Sequence, residues 1–456
     1  MTLLKRIFFA LLLIVAVLAL GVWLKPPALL RVGANYTAKI VCSNVFLAGR
    51  DPDEVLRVDV QAPGIALLKL MHVSVDRERG VVHAGFLGFI GDGLAQWHPG
   101  KGCTVLPDGK LNLDPLPEHA MAPAAAASAA PWPEGTAVKT NAALDQLLMN
   151  DALAGPGARA IVVVDHGRIV AERYAAGFNA STPLLGWSMT KSVMAGGIGM
   201  LVKDGKLSLD QAGLWPGVTD GREKIRVADL LAMSSGLQWN EAYGAVSDVT
   251  GMLYLQPDMA AFARAQPLAH PVGEVWSYSS GTAVILSRIA QESAGEDIFK
   301  YIGTRLFEPL GITSATIEPD EHGTPVGSSY MYATARDWAK YGQFLLQDGV
   351  WQGQELLPSG YVAMMASPVA ASGGQYGKGQ TWLWGSDAAT PGVNPDAAFG
   401  IPADTFWMSG HDGQNIAIIK SRQLVIVRLG LTPYAAGYSP QPLVKAILGA
   451  TRNPNP

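Results

Sequence analysis

The sequence predicts an α+β fold, an α/β sandwich in which one antiparallel sheet is flanked by helices and assembled from the two ends of a large C-terminal domain. Three observations carry this. The stretch "ARAIVVVDHGRIVAERY" is two β-rich runs around Asp165-His166-Gly167, a hairpin signal. The stretches "TWLWGS", "TFWMSG", "QNIAIIKS" and "QLVIVRLG" return to β character near the end of the chain. Between these two groups lie segments with helical spacing. Strands at both ends of a domain with helices between them are most economically joined as one sheet with a helical subdomain beside it. A cleft between sheet and helices is the natural place for a ligand.

The bulk composition sets the outer bounds. The chain has 456 residues, 49% hydrophobic and 16% charged, so a large core is available and the composition argues against bulk disorder. A formal charge of −4 leaves no basic stripe for phosphates, which argues against a nucleic-acid partner. His83, His98, His119 and His322 are scattered without metal-ligand spacing, so no metal or cofactor is expected.

Taken in order, residues 1–27 come first. Lys5-Arg6 precedes an unbroken apolar run, Ile7 to Leu24, which Lys25-Pro26-Pro27 ends. Eighteen residues are near the lower limit for a spanning helix, and the flanking charges place the N-terminus inside. The expectation is a signal anchor in a bacterial inner membrane with the large C-terminal domain in the periplasm. The alternative is a signal peptide cleaved after Val17-Leu18-Ala19, giving a secreted protein.

Residues 28–112 form a small segment with strand-like pieces, "KIVCSNVFLAG" and "GVVHAGFLGFIG". It holds Cys42 and Cys103, an even count in an exported chain, so a disulfide is expected rather than two buried thiols. Residues 113–136, "PLPEHAMAPAAAASAAPWPEG" at their heart, read as a Pro/Ala linker. Residues 137–456 are the large domain. Its helices are Ser188 to about Lys203, "RVADLLAMSSGL", "GTAVILSRIAQESAG", "DIFKYIGTRLFEPLG", "TARDWAKYGQFLLQDG" behind a capping box of Thr334 and Asp337, and a last one from about Pro440 to Ala450. Trp382, Trp384 and Trp407 read as core or cleft wall.

The chemistry centres on "GWSMTKSVMAGG". Ser188 and Lys191 share one helix face a turn apart. The first turn offers free N–H groups and a dipole that favours developing negative charge. A lysine accepts a proton only if burial or a neighbouring cation lowers its pKa, and the flanking residues are suitably apolar. By itself the pair also fits a solvent-facing serine and lysine at a helix start. Two further stretches extend it: Tyr278-Ser279-Ser280 immediately before a helix, and His411-Asp412-Gly413 at the start of a terminal strand.

Ser-x-x-Lys, Tyr-x-Ser and His-x-Gly in this order resemble the motifs of the penicillin-recognising serine hydrolases. The likeness is to the class C branch: class C β-lactamases, D-alanyl-D-alanine carboxypeptidases, related esterases and 6-aminohexanoate-dimer hydrolases. "VADLLAMSSGLQW", "PVGEVWSYSSG" and "YMYATARDWAKYGQFLLQDGVWQG" are also similar to that branch, over about Asn141 to Ala450. The resemblance implies a β-lactamase/transpeptidase-like fold and a serine hydrolase working through an acyl-enzyme. It implies Ser188 as nucleophile, Lys191 as its base and Tyr278 as the proton relay to the leaving group, with Lys191 the cation beside its phenol. The oxyanion donors would be the N–H groups of Ser188 and Gln414, with His411, Gly413 and Ser280 on the substrate side.

This sequence departs from the family in two places. Ser280 stands where β-lactamases carry Asn, and His411-Asp412 stands where they carry Lys and a hydroxyl residue. Lysine is a permanent cation for a substrate carboxylate, whereas histidine is not. The expectation is therefore a hydrolase of esters or amides lacking that carboxylate. The competing readings are a D,D-carboxypeptidase or β-lactamase, and a non-catalytic binding or sensor module.

Overall fold

The computed structural model describes residues 2–62, 64–111, 128–385 and 392–451, and the chain divides into two units. The smaller comprises Met1–His98, Cys103–Leu116 and Ala242–Pro257, and the larger is the remainder. Most of the expected linker at 113–136 lies outside the described residues.

In the smaller unit, Thr2–Leu24 is one helix, α1, with Ile7, Phe8, Phe9 and Leu11 among its exposed side chains. The expected span is not found: among the described residues, no helix is long and apolar enough to cross a membrane. The run that carries the expectation includes positions 15, 16, 18 and 19, whose side chains lie outside the described residues.

Helix α2, Ala28–Phe46, lies on a four-stranded sheet of β1 (Met71–Asp76), β2 (Val81–Phe86), β3 (Ile90–His98) and β4 (Gly102–Val105) in that order. The strand-like reading of "KIVCSNVFLAG" is therefore corrected, since Lys39 to Phe46 is helical. Thirteen of the nineteen residues of α2 are buried, because the sheet covers one side and the segment around Tyr254 another. A helix buried nearly all round has no amphipathic period, and its β-branched residues then mimic a strand. The helix and sheet approach so closely that a Cβ on Gly93 would lie 2.3 Å from the Ala34 carbonyl carbon.

Cys42 on α2 and Cys103 on β4 form the expected disulfide, with Cα atoms 6.1 Å apart. Closing a loop of this length stabilises by roughly 4 kcal/mol in the chain-entropy picture. Non-reducing peptide mapping of the purified protein should yield one linked peptide pair. Two freely alkylatable thiols would contradict the bridge.

The larger unit carries the sheet expected from the two ends of the domain. The hairpin of β5 (Ala158–Asp165) and β6 (Arg168–Tyr174) precedes helices α3 (Met189–Lys203), α4 (Ser280–Ala294) and α5 (Ala335–Leu346). Then come β7 (Thr405–Gly410), β8 (Gln414–Ile419), β9 (Leu424–Gly430) and α6 (Gln441–Ala450). The order is β7-β8-β9-β5-β6, antiparallel throughout, with β9 joining the end of the chain to β5. One face packs Ile161, Val163 and Ile426 against Leu443 and Ile447 of α6. The other receives α5, where Gly342 lets Val425 and Ile416 approach.

Two local expectations change. "TWLWGS" forms no strand: Trp382 makes only single bridges, to Tyr376 and Trp407. The Thr334 hydroxyl caps α5 by accepting from Asp337 N, but the Asp337 carboxylate turns away to accept from Thr313 N, Ser314 N and Ser314 Oγ.

Candidate active site

The nucleophile candidate sits at a strained corner. Trp187 has φ of 49°, the left-handed region that a bulky residue rarely occupies, and Ser188 follows as the N-cap of α3. Such a conformation costs on the order of 1–3 kcal/mol and persists only where surrounding packing enforces it. Here the Trp187 ring is buried edge-on against His411, centroids 5.7 Å apart, and its carbonyl accepts from Thr190 N and Thr190 Oγ1. Helix α3 behind it is almost wholly buried. Its small residues admit two tyrosines, and the hydroxyls of Tyr341 and Tyr361 donate to the carbonyls of Ser192 and Ala195.

Ser188 remains half-exposed, whereas Lys191 is buried. Lys191 Nζ lies 3.0 Å from Ser188 Oγ, 3.1 Å from Ser280 Oγ and 2.9 Å from the Ser328 carbonyl oxygen. Burial brings the Lys191 pKa down to about 8, against the opposing pull of the Glu241 carboxylate. A minority of the amine is thus neutral near physiological pH, and most of it above about pH 8.

Tyr278 is joined to the same cluster through Lys191, and Ser188 is among the groups that act on its phenol. The expectation of a cation lowering its pKa is corrected. Lys191 Nζ stands over the ring, 4.8 Å from the centroid, and burial together with the Glu241 charge pushes the phenol up, against the smaller effect of Ser188. Of the two groups, Lys191 is the better base and Tyr278 a neutral proton donor. Around Tyr278 stand Trp382 at 5.3 Å, Tyr376 at 5.8 Å and Trp276 at 6.4 Å between ring centroids, an aromatic wall. Trp382 is wall, and Trp407 is core.

Ser280 is fully buried, so its expected place on the substrate side is corrected: its hydroxyl is spent between Lys191 and Glu241. Gly413 likewise faces inward. Its carbonyl accepts from Arg428 Nη1, and a Cβ there would meet that guanidinium at 2.7 Å. Gln414 is buried, with its side chain donating to the His411, Asp412 and Gly430 carbonyls. His411 is exposed beside Trp187, while the Asp412 side chain is buried beside His411 and Arg159. Desolvation raises the Asp412 pKa despite both neighbours.

Gly410, at the end of β7, lies beside Ser188. A Cβ built on it would lie 2.2 Å from the Gly186 carbonyl oxygen and 3.2 Å from Ser188 N. Sequence reasoning missed Gly410, and also Glu241 and Ser328. Gly410 had a signal, a glycine ending a strand before the third motif; the other two had none.

Comparison with known proteins shows the family and the fold. The beta-lactamase family profile matches residues 148–439. A 6-aminohexanoate-dimer hydrolase from Paenarthrobacter ureafaciens is 24% identical over 60% of this chain and 72% of its own. A penicillin binding protein from Bacillus halodurans shares the fold with a TM-score of 0.52 at 15% identity, over 67% of this chain and 99% of its own. EstCE1, a hydrolase with promiscuous acyltransferase activity, does so with a TM-score of 0.53 at 16% identity, over 68% and 97%. With its serine, lysine and tyrosine gathered at the head of a buried helix and the family profile spanning more than half its length, the chain belongs to the beta-lactamase family of serine hydrolases.

Proposed function

We propose that this protein is a membrane-tethered periplasmic hydrolase that cleaves an ester or amide bond through an acyl-enzyme on Ser188. The observation that carries the chemistry is the buried Lys191 amine 3.0 Å from a half-exposed Ser188 hydroxyl. Ser188 Oγ attacks the substrate carbonyl carbon and its proton passes to Lys191 Nζ. The oxyanion is met by Ser188 N and by N–H groups of the turn at 411–414, Gln414 among them. Tyr278 gives its proton to the leaving oxygen or nitrogen and is reprotonated from Lys191. Water then repeats the sequence to release the acid. The relative named a 6-aminohexanoate-dimer hydrolase supports hydrolysis as the reaction class. The tether and the compartment rest on the apolar run behind Lys5-Arg6 and on the Cys42–Cys103 bridge.

Intact-mass spectrometry of the full chain against a panel of esters, amides, D-amino-acid peptides and β-lactams tests the proposal. An acyl adduct that maps to Ser188 is expected, and adducts elsewhere or none at all would refute it. Carbonate extraction of membranes tests the tether, which predicts retention in the pellet.

The same site predicts a preference within the panel. A charged hydrogen bond to a substrate carboxylate is worth roughly 1.5–3 kcal/mol. With His411 in place of the family's lysine, and the Glu241 carboxylate close behind Lys191, carboxylate substrates should lose about tenfold to a hundredfold in kcat/KM. Faster hydrolysis of a cephalosporin than of short-chain esters at pH 7.5 would show the preference to be wrong.

A further inference from the structure

Three groups surround the Lys191 amine, and they are not equivalent as hydrogen-bond partners. The Ser328 carbonyl oxygen can only accept. Ser280 Oγ lies 2.5 Å from Glu241 Oε1 and donates its single proton there, so toward Lys191 it too can only accept. Ser188 alone can reverse. A neutral amine has two N–H groups and one lone pair. Its two N–H groups are consumed by Ser328 and Ser280, which leaves the lone pair facing the Ser188 hydroxyl.

Glu241 is itself held in one orientation. Its Oε2 accepts from Trp239 Nε1 at 2.6 Å and from Ser280 N at 2.9 Å. The Trp239 ring is seated over Gly281, where a Cβ would meet it at 2.5 Å. Both carboxylate oxygens therefore face donors only, and the direction of the Ser280 proton is fixed by the absence of any acceptor-to-acceptor alternative.

We propose that Glu241 is a positioning residue of the catalytic centre: by holding the Ser280 proton, it aims the Lys191 lone pair at Ser188. This rests on the proposed roles of Ser188 and Lys191. Glu241 lies outside the Ser-x-x-Lys, Tyr-x-Ser and His-x-Gly motifs, and it gives the serine at position 280 an acceptor for its proton. An asparagine amide would occupy that place without a second residue to orient it, whereas a serine hydroxyl needs one.

Glu241→Gln tests this with little change of shape. The amide oxygen can satisfy Trp239 Nε1 and Ser280 N, which leaves an amide N–H facing Ser280 Oγ. The Ser280 hydroxyl must then turn its proton onto the Lys191 lone pair. The expected result is a fall of about a hundredfold in kcat on an ester identified by the acylation panel, within the range for a lost general base, with KM nearly unchanged. The groups facing Lys191 are Glu241, the Tyr278 ring, the Ser328 carbonyl and the Ser188 and Ser280 hydroxyls. Loss of the Glu241 charge, together with a proton donated to the amine, moves the acid limb of kcat/KM to lower pH.

In a Ser280→Ala background there is no hydroxyl to turn, so Glu241→Gln should cost no more than about threefold. Glu241→Asp, smaller but acceptor-only, should retain more turnover than Glu241→Gln. If the glutamine variant is not recovered folded, the same cycle is run with Glu241→Ala, which also frees the hydroxyl. Equal losses in both backgrounds, or glutamine outperforming aspartate, would overturn the proposal and reduce Glu241 to packing. Should Ser188→Ala itself retain turnover, the roles of Ser188 and Lys191 fail, and that outcome is separate from any result of the cycle.

Discussion

Ser188→Ala is expected to lower kcat/KM on every substrate found by at least about a thousandfold, since the nucleophile has no substitute in the cluster. Lys191→Ala should be nearly as damaging, and the double variant little worse than either, because the residues act as a unit. The wild-type pH profile follows from the lysine. Its pKa is brought down to about 8 by burial, so the amine is protonated and inactive below that value and neutral above it. Hydrolysis should therefore rise with pH through about 8 and plateau beyond, where Tyr278 remains a neutral donor because its own pKa is raised. Steady-state assays across pH 6 to 10 check both points. Retention of a tenth of wild-type turnover by Ser188→Ala would falsify the assignment.

Gly410→Ala is expected to cost about a hundredfold, though residue 410 takes no part in the chemistry. The added methyl would lie 2.2 Å from the Gly186 carbonyl oxygen, and neither partner is the flexible end of a side chain. The end of β7 must move away from the corner that carries Ser188. A displacement of about 1 Å in a reacting group can cost on the order of a hundredfold. The loss should appear in kcat with Lys191 still titrating normally, which separates it from damage to the base. A crystal structure of the variant with β7 unmoved, or near-wild-type kcat, would show that Gly410 is not needed for close approach.

What the sequence made legible follows from how each feature is encoded. Ser188, Lys191 and Tyr278 lie in motifs whose spacing is dictated by a helix turn and a helix entry, so their grouping could be read from order alone. The sheet was legible because β5, β6, β8 and β9 alternate or run apolar between turn residues. Glu241 was not, because it lies between two helices with no period to mark it, and only the fold brings it to Ser280. The direction of the Tyr278 shift was also misread. Lys191 lies over the ring face rather than at the hydroxyl, and burial raises the phenol's pKa. Helix α2 was mistaken for strand because burial on several sides removed the polar stripe that would have revealed it.

The pairing of β5 with β9 has a consequence for synthesis. Asp165 finds its partner in Leu424, roughly 260 residues later, and β7 with Gly410 also comes near the end of the chain. A ribosome therefore delivers Ser188, Lys191 and Tyr278 long before the strands that seat them. The nascent chain carries a complete set of reacting groups but no surface to hold Ser188 against. The seat of Ser188 is therefore complete only once the final strands have been made.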